Sequence, residues 1–168
     1  KRVRPGLRVT MRDLSTEEST RLVGAGRLAF SVQARPRRLA NRSLMFEPLF
    51  QLPLRLLASE ARGFGEREVI GLREATPLLI FDRTEYPEYW MRISRLLREH
   101  GIRARIGGSF DSAASLSAAI CAGVGVSLVP STFPVVPRSR LYAIEPAGEV
   151  EVGLLRPRSS DDPVAEAL

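Results

Sequence analysis

The chain has 168 residues, 44% of them apolar, with 25 Lys+Arg against 19 Asp+Glu and a formal charge of +6. This suffices for one packed core or two small lobes, and the 26% charged fraction is ordinary for a folded chain. A single cysteine (Cys121) and a single histidine (His100) exclude a disulfide framework and any multi-cysteine or multi-histidine metal site. No apolar run reaches the roughly 18–20 residues of a membrane span, and Lys1–Thr10 lacks a signal-peptide core, so a cytoplasmic location without membrane contact is expected.

Lys1 is the only lysine, so arginine supplies 24 of the 25 basic residues. The arginines are scattered, which fits genome base composition better than a nucleic-acid footprint. Arg92, Arg95 and Arg98 recur at i, i+3, i+6 and read as a solvated helix flank, with Glu88 and Glu99 as partners. The chain shows no RNP-like aromatic strand, finger or helix-turn-helix.

In chain order, Leu7, Val9 and Met11 alternate with Arg8 and Thr10, which predicts a half-buried strand. Ser15-Thr-Glu-Glu18 has the form of a capping box, starting a helix that stops at Gly24 and Gly26. A strand over Leu28–Val32 follows, so the opening reads as a parallel βαβ unit. Residues 33–43 are polar and read as a loop. Two strands, 44–46 and 52–58, are predicted with a turn between them. Ser59–Arg67 is a loop, 69–75 a short helix, and 77–81 an apolar strand buried on both faces.

Pro87–Glu99 is the best helix: Pro87 suits its first turn, Tyr89, Ile93, Leu96 and Leu97 share a face, and Gly101 ends it. Ile102–Ile106 reads as a strand. Asp111 is the expected N-cap of a helix over 112–121, ended by Gly123 and Gly125. Val126–Pro130, 141–144 and 150–155 complete the strands, with Gly148 in the last turn. Alternation of strands and helices dominates, so the fold class is α/β.

Three predicted helix starts follow strands, at Ser15-Thr16, Pro87-Glu88 and Asp111-Ser112. Ligands collect at the carboxyl ends of strands in open α/β sheets, and helix N-termini favour anions. Thr16, Thr84, Ser109 and Ser112 offer hydroxyl donors. Capping explains each start alone; their joint placement around one cleft is the functional reading. Catalysis is not expected. His100 reads as a helix C-terminal residue and Cys121 as a small buried one, while loop solvation explains Asp82, Glu85 and Glu88. Gly123-Val-Gly125 precedes a strand, so it is no phosphate cradle. No catalytic residue, cofactor or metal is expected.

The ordered motifs carry a resemblance. Ser109 to Pro130 (SFDSAASLSAAICAGVGVSLVP) resembles a helix, a small–Gly–x–Gly turn and a proline-closed apolar strand of LysR-type transcriptional regulators. Leu22–Leu28 (LVGAGRL) and the stretch from Gly63 to Phe81 are similar to other segments of the same effector-binding domain. The resemblance implies the two-lobed fold of type 2 periplasmic solute-binding proteins, with lobe I from 1–54 and 134–168 and lobe II from 55–133. It implies a small-molecule effector between the lobes, and the nearest similarity is to regulators that sense aromatic-derived carboxylates.

Thr16 matches a family threonine that contacts the effector carboxylate, and Pro87, Glu88 and Tyr89 match a pocket-lining segment. The register places Ala34 on a family arginine, so Arg35 is the expected substitute. With Thr84, Ser109, Asp111 and Ser112 these form the expected ligand set. The resemblance also implies that the first strand and helix of lobe I, and an N-terminal helix-turn-helix that contacts DNA, are absent from this chain. It implies a homodimer or homotetramer. A transport-type solute-binding protein of the same fold is the alternative; an enzyme of this architecture is opposed by the lone His100 and unclustered carboxylates.

Overall fold

The computed structural model describes residues 8–36, 39 and 41–158. Helix α1 spans Thr16–Gly24, α2 Pro87–Glu99 and α3 Ala113–Cys121. The strands are β1 (Ser31–Ala34), β2 (Leu44–Ser59), β3 (Val69–Gly71), β4 (Leu78–Phe81), β5 (Ile106–Phe110), β6 (Val126–Pro130), β7 (Ser139–Glu145) and β8 (Glu149–Pro157). They form one eight-stranded mixed sheet of order β1-β8-β2-β6-β4-β5, with β7 beside β2 and β3 beside β7.

The 16-residue β2 organises this sheet. Its first part, Leu44 to Pro53, pairs antiparallel with β8; its last part pairs with β6 and β7. The sequence predicts two strands with a turn here, with Pro53 at the start of the second. The structure keeps one strand and absorbs Pro48 opposite Gly153, at a register shift between Pro48 and Phe50. Leu54 resumes bonding by donating its amide to the Gly148 carbonyl at 2.7 Å.

The apolar side chains divide into two clusters. The larger gathers Leu56, Leu57, Leu78, Leu79, Ile93, Leu116, Ile120 and Leu128 under α2 and α3. The smaller joins Val23 of α1 to Leu44 and Leu155, with Leu28 and Phe46 packed against it.

Elements with strong local signals fall where the sequence puts them. Helix α2 keeps its predicted bounds, with Pro87 in the first turn, Tyr89, Ile93 and Leu96 buried, and Gly101 at φ +60° beyond its end. Strand β6 also matches, and β4 is buried throughout. The Ser15 Oγ caps α1 by accepting the Glu18 amide. The Glu18 carboxylate lies 3.8 Å from Arg21.

Elsewhere the structure corrects the reading. Residues 8–11 are not a strand, and Val9 and Met11 are 64% and 90% exposed; Leu7 lies outside the described residues. Alternation describes a face, but a strand needs a partner backbone. The following strand is shifted to Ser31–Ala34, because Arg27 and Leu28 donate back to the Leu22 carbonyl and finish α1. It pairs antiparallel with β8, so no parallel βαβ unit opens the described chain.

Residues 69–75 split into β3, parallel to β7, and a 3-10 turn over Leu72–Glu74, instead of a helix. The strand placed at 102–106 begins only at Ile106, since the Ile102 amide is spent on the Leu97 carbonyl after α2. Strand β5 contains Gly107 and Gly108, which propensity rejects but packing requires: a Cβ on Gly107 would stand 2.8 Å from Pro77. The N-cap of α3 is Ser112, not Asp111, and the helix starts at Ala113. Cys121 is exposed, not buried.

Candidate functional site

The start of α1 sits against the 82–86 segment that links β4 to α2. The Ser15 hydroxyl donates to Glu85 Oε2 at 2.6 Å. Thr16 Oγ1 and the Glu17 amide both donate to the Glu85 carbonyl, each at 3.1 Å. This helix N-terminus therefore already holds an acceptor, as its dipole and free amides favour. One glutamate thus clamps the first turn of α1 to a loop some seventy residues later in the chain.

The 82–86 loop is braced by Asp82. Its Oδ1 accepts the Thr84 amide at 2.8 Å and the Glu85 amide at 3.3 Å, and its Oδ2 accepts the Ser109 hydroxyl at 3.3 Å. These donors, the Thr84 amide foremost, hold the Asp82 carboxyl below its ordinary range. Tyr86 is the loop's last residue. Burial pushes its phenol up, and the negative charges of Asp13, Glu85 and Asp111 add to this. Its ring lies 4.6 Å from that of Phe81, in an aromatic group that includes Tyr89 and Phe133.

The predicted site residues fall into three groups. Thr16, Thr84 and Ser109 meet around the 82–86 loop, and Asp111 adds its charge near Tyr86. Ser112 caps α3 and shares hydrogen bonds with Ser115, while Pro87 opens α2. Arg35 and Glu88 instead line a separate cavity of about 820 Å3 between α2 and the β1–β8 pair. Tyr89 turns into the core and donates to the Leu128 carbonyl.

Arg35 is engaged from two sides. Its Nε donates to the Glu151 carboxylate, and its guanidinium carbon lies 4.8 Å from the centre of the Phe46 ring. That hydrogen bond raises the Arg35 pKa and lowers that of Glu151.

Four contributors escaped the sequence reading. Ser15 reads only as a cap, and Asp82 and Glu85 as solvated loop acids; the donors that face them come from distant parts of the chain. Gln33 also ties α1 to β1, accepting from Ser19 at 2.6 Å and donating to Thr20 at 3.0 Å. His100 behaves as read, with Nδ1 3.0 Å from the Leu96 carbonyl at the end of α2. Among the described residues no three His, Cys, Asp or Glu side chains are placed to hold a metal ion, and no helix is long and apolar enough to cross a membrane.

Because Ser15 serves both the α1 amide and Glu85, Ser15→Ala removes two contacts at once. A lost cap costs about 0.5–2 kcal/mol, so a fall in unfolding free energy of about 1–2 kcal/mol is expected in urea melts. A change within about 0.3 kcal/mol would show that the clamp carries no stability.

Comparison with known proteins yields one family match, described as the LysR substrate binding domain, over residues 1–168. A search of the curated proteins found no match. Among solved structures, CbnR, a LysR family transcriptional regulator, superposes with a TM-score of 0.77 at 18% identity, covering 91% of this chain and 54% of that one. HinK, a LysR family regulator from Pseudomonas aeruginosa, gives 0.79 at 18% identity, covering 96% and 58%. The regulatory domain of Synechocystis CcmR, solved in complex with 2-PG, gives 0.76 at 13% identity, covering 97% and 80%. At these identities the structures speak for the fold, which is type 2 periplasmic-binding-like. The chain spans about half the length of CbnR and of HinK.

Proposed function

Because this chain belongs to the LysR substrate binding domain family, we propose that it is the effector-sensing part of a cytoplasmic transcriptional regulator. In this reading it performs no catalysis. A small metabolite binds between two lobes, 1–54 with 134–168 and 55–133, with β7 packed on the second because it pairs with the end of β2. DNA is contacted by a part of the protein outside these 168 residues, and the assembly is a homodimer or homotetramer. The complex of CcmR with 2-PG supports a small-molecule effector in this fold.

The observation that carries the reading is the clamp between α1 and the 82–86 loop. Thr16 donates to the Glu85 carbonyl. An effector carboxylate that takes this hydroxyl must displace Glu85, and so changes how the two segments sit. A ligand shifts such an equilibrium only by its difference in affinity for the two states. In this reading the carboxylate shares the start of α1 with Thr84, Ser109 and Asp111 around the 82–86 loop, with Ser112 at the start of α3, while Arg35 and Glu88 take part from the cavity beside α2. Pro87 shapes the adjoining wall through the first turn of α2, whereas the Tyr89 side chain lies in the core and takes no part.

The experiment is calorimetric titration with benzoate and cis,cis-muconate, repeated on Thr16→Val. Loss of one hydrogen bond to a charged group is worth about tenfold in affinity. If neither carboxylate binds, or if Thr16→Val binds unchanged, the anion site at α1 is wrong.

A further inference from the structure

The end of the sheet opposite the 82–86 loop collects charge of one sign. Strands β4, β5, β6 and β7 begin there and β2 ends there, since Leu78 lies beside Ile106 and Val126, Ala58 beside Val126, and Ser59 beside Ser139. Five arginines sit on the short connections at this end. Arg62 lies in the 3-10 turn after β2 and Arg73 in the turn after β3. Arg103 and Arg105 lie between α2 and β5, and Arg138 lies just before β7. All but the half-buried Arg62 are exposed. Arg62 donates to the Thr76 carbonyl, and Arg73 to the His100 carbonyl at 3.4 Å. These bonds tie the connections together, but their acceptors are neutral and leave both charges in place. None of the five arginines forms an ion pair among the described residues.

The acids of the same connections are mostly spent on other arginines. Glu66 pairs with Arg140 at 3.3 Å, Glu74 with Arg67 at 2.8 Å and Glu99 with Arg95 at 2.7 Å. Over residues 60–76, 99–105 and 138–140, that leaves Glu60 and Glu68 against the five arginines. Neighbouring strands lie about 4.8 Å apart, so the row from β7 through β2, β6 and β4 to β5 is about 19 Å long. Duplex DNA presents one phosphate charge per about 1.7 Å of its axis, so a row of this length faces several at once. Guanidinium forks match phosphate oxygens in pairs. A protein partner is held instead by aromatic anchors at the centre of a patch. Here the Phe64 ring is turned to the buried Tyr142, edge to face at 5.5 Å. Helices α2 and α3 both finish at this end, so no helix N-terminus is offered to a groove.

We propose that this end of the sheet holds the phosphate backbone of double-stranded DNA, without reading its sequence. The proposal rests on the regulator reading above, which puts duplex DNA beside this chain, and adds a contact made by these 168 residues themselves. The arginines that carry it are spread from Arg62 to Arg138 in the sequence, and only the strand ends gather them.

The test is fluorescence anisotropy of the 168-residue chain with labelled duplexes of about 20 base pairs, in two unrelated sequences. Both should bind saturably and equally at low salt. The logarithm of the affinity should fall against that of salt with a slope of about −3 to −4, the value for about four neutralised phosphates. The variant Arg103→Gln/Arg105→Gln, checked for native circular dichroism, should bind about tenfold more weakly or worse and reduce the slope by about 2. Arg8→Gln/Arg27→Gln removes the same charge from exposed positions before and after α1, and should bind as the wild type does. Absence of saturable binding, equal effects of the two double variants, or a preference for one sequence overturns the proposal. Equal binding of a glutamate oligomer of the same charge moves the partner to an acidic protein and overturns it too. Titration of the same protein with benzoate and cis,cis-muconate separates the two readings. Carboxylate binding without DNA binding removes this contact alone, and DNA binding without carboxylate binding leaves it standing and removes the effector site.

Discussion

Leu56→Ala should be the most damaging single truncation in this chain, lowering the unfolding free energy by about 3–4 kcal/mol. Leu56 is fully buried, and its backbone faces Leu128 of β6 on one side and Tyr142 of β7 on the other. Removing a buried leucine side chain loses its transfer free energy and leaves a cavity, which together cost about 2–5 kcal/mol. The upper half of that range applies because β2 is braced on both edges and cannot close over the void. For a chain of this size, about 2–4 °C of melting temperature is lost per kcal/mol, so the midpoint should fall by roughly 10 °C. Phe50→Ala on the same strand is the control: Phe50 is 56% exposed, and a change within about 0.5 kcal/mol is expected. In urea, the Leu56→Ala midpoint should move with an unchanged slope. Equal effects of the two substitutions would show that the two-edged pairing of β2 does not organise the core.

The second large effect comes from adding a single carbon. A Cβ on Gly125 would lie 2.5 Å from the Pro77 carbonyl oxygen and 2.9 Å from Leu79. That carbonyl accepts the Val126 amide at 3.0 Å, the contact from which β6 runs alongside β4. Gly125→Ala must therefore push β6 away from β4 or break this bond, at a cost of about 2–3 kcal/mol. Gly123, two residues earlier, separates the causes. It adopts φ +73°, and a Cβ there meets nothing within 4 Å. Gly123→Ala should cost only the backbone strain, about 1 kcal/mol. Thermal melts of the pair decide the matter. A Gly125→Ala protein no less stable than Gly123→Ala would mean that the approach of β6 to Pro77 is not needed for packing.

These two glycines also show how much of the fold the sequence discloses. Both read as helix stops after the Ala-rich run. That is the whole reason for Gly123 and the wrong reason for Gly125, whose role depends on a carbonyl nearly fifty residues earlier. The same division separates α2 from residues 69–75. Helix α2 was legible to the residue because Pro87, a four-residue apolar rhythm and Gly101 all act within the helix itself. Residues 69–75 were misread because β3 exists only through its parallel pairing with β7. Residues 47–51 read as a turn between two strands, but a register shift at Pro48 and the pairing with β8 hold β2 continuous.

The site divides in the same way. Thr16, Thr84 and Ser109 were found as donors near helix starts, and the structure does gather them around one loop. Their partners were not found. Glu85 and Asp82 are ordinary loop acids until the fold brings the start of α1 and Ser109 against them. Tyr89 was read as both apolar-face and pocket residue; packing resolved this toward the core, where its hydroxyl finds the Leu128 carbonyl.

By itself, then, the sequence determined the class of fold, the strongest helix and the buried strands, and it supplied only one histidine and one cysteine. Each of these depends on residue identity and spacing within a few turns of chain. Only the tertiary structure decided which strands exist at all, which acids face the hydroxyl donors, and where the scattered arginines converge. Strand pairing and charge proximity join residues far apart in the chain, and that separation leaves no periodic trace in the sequence.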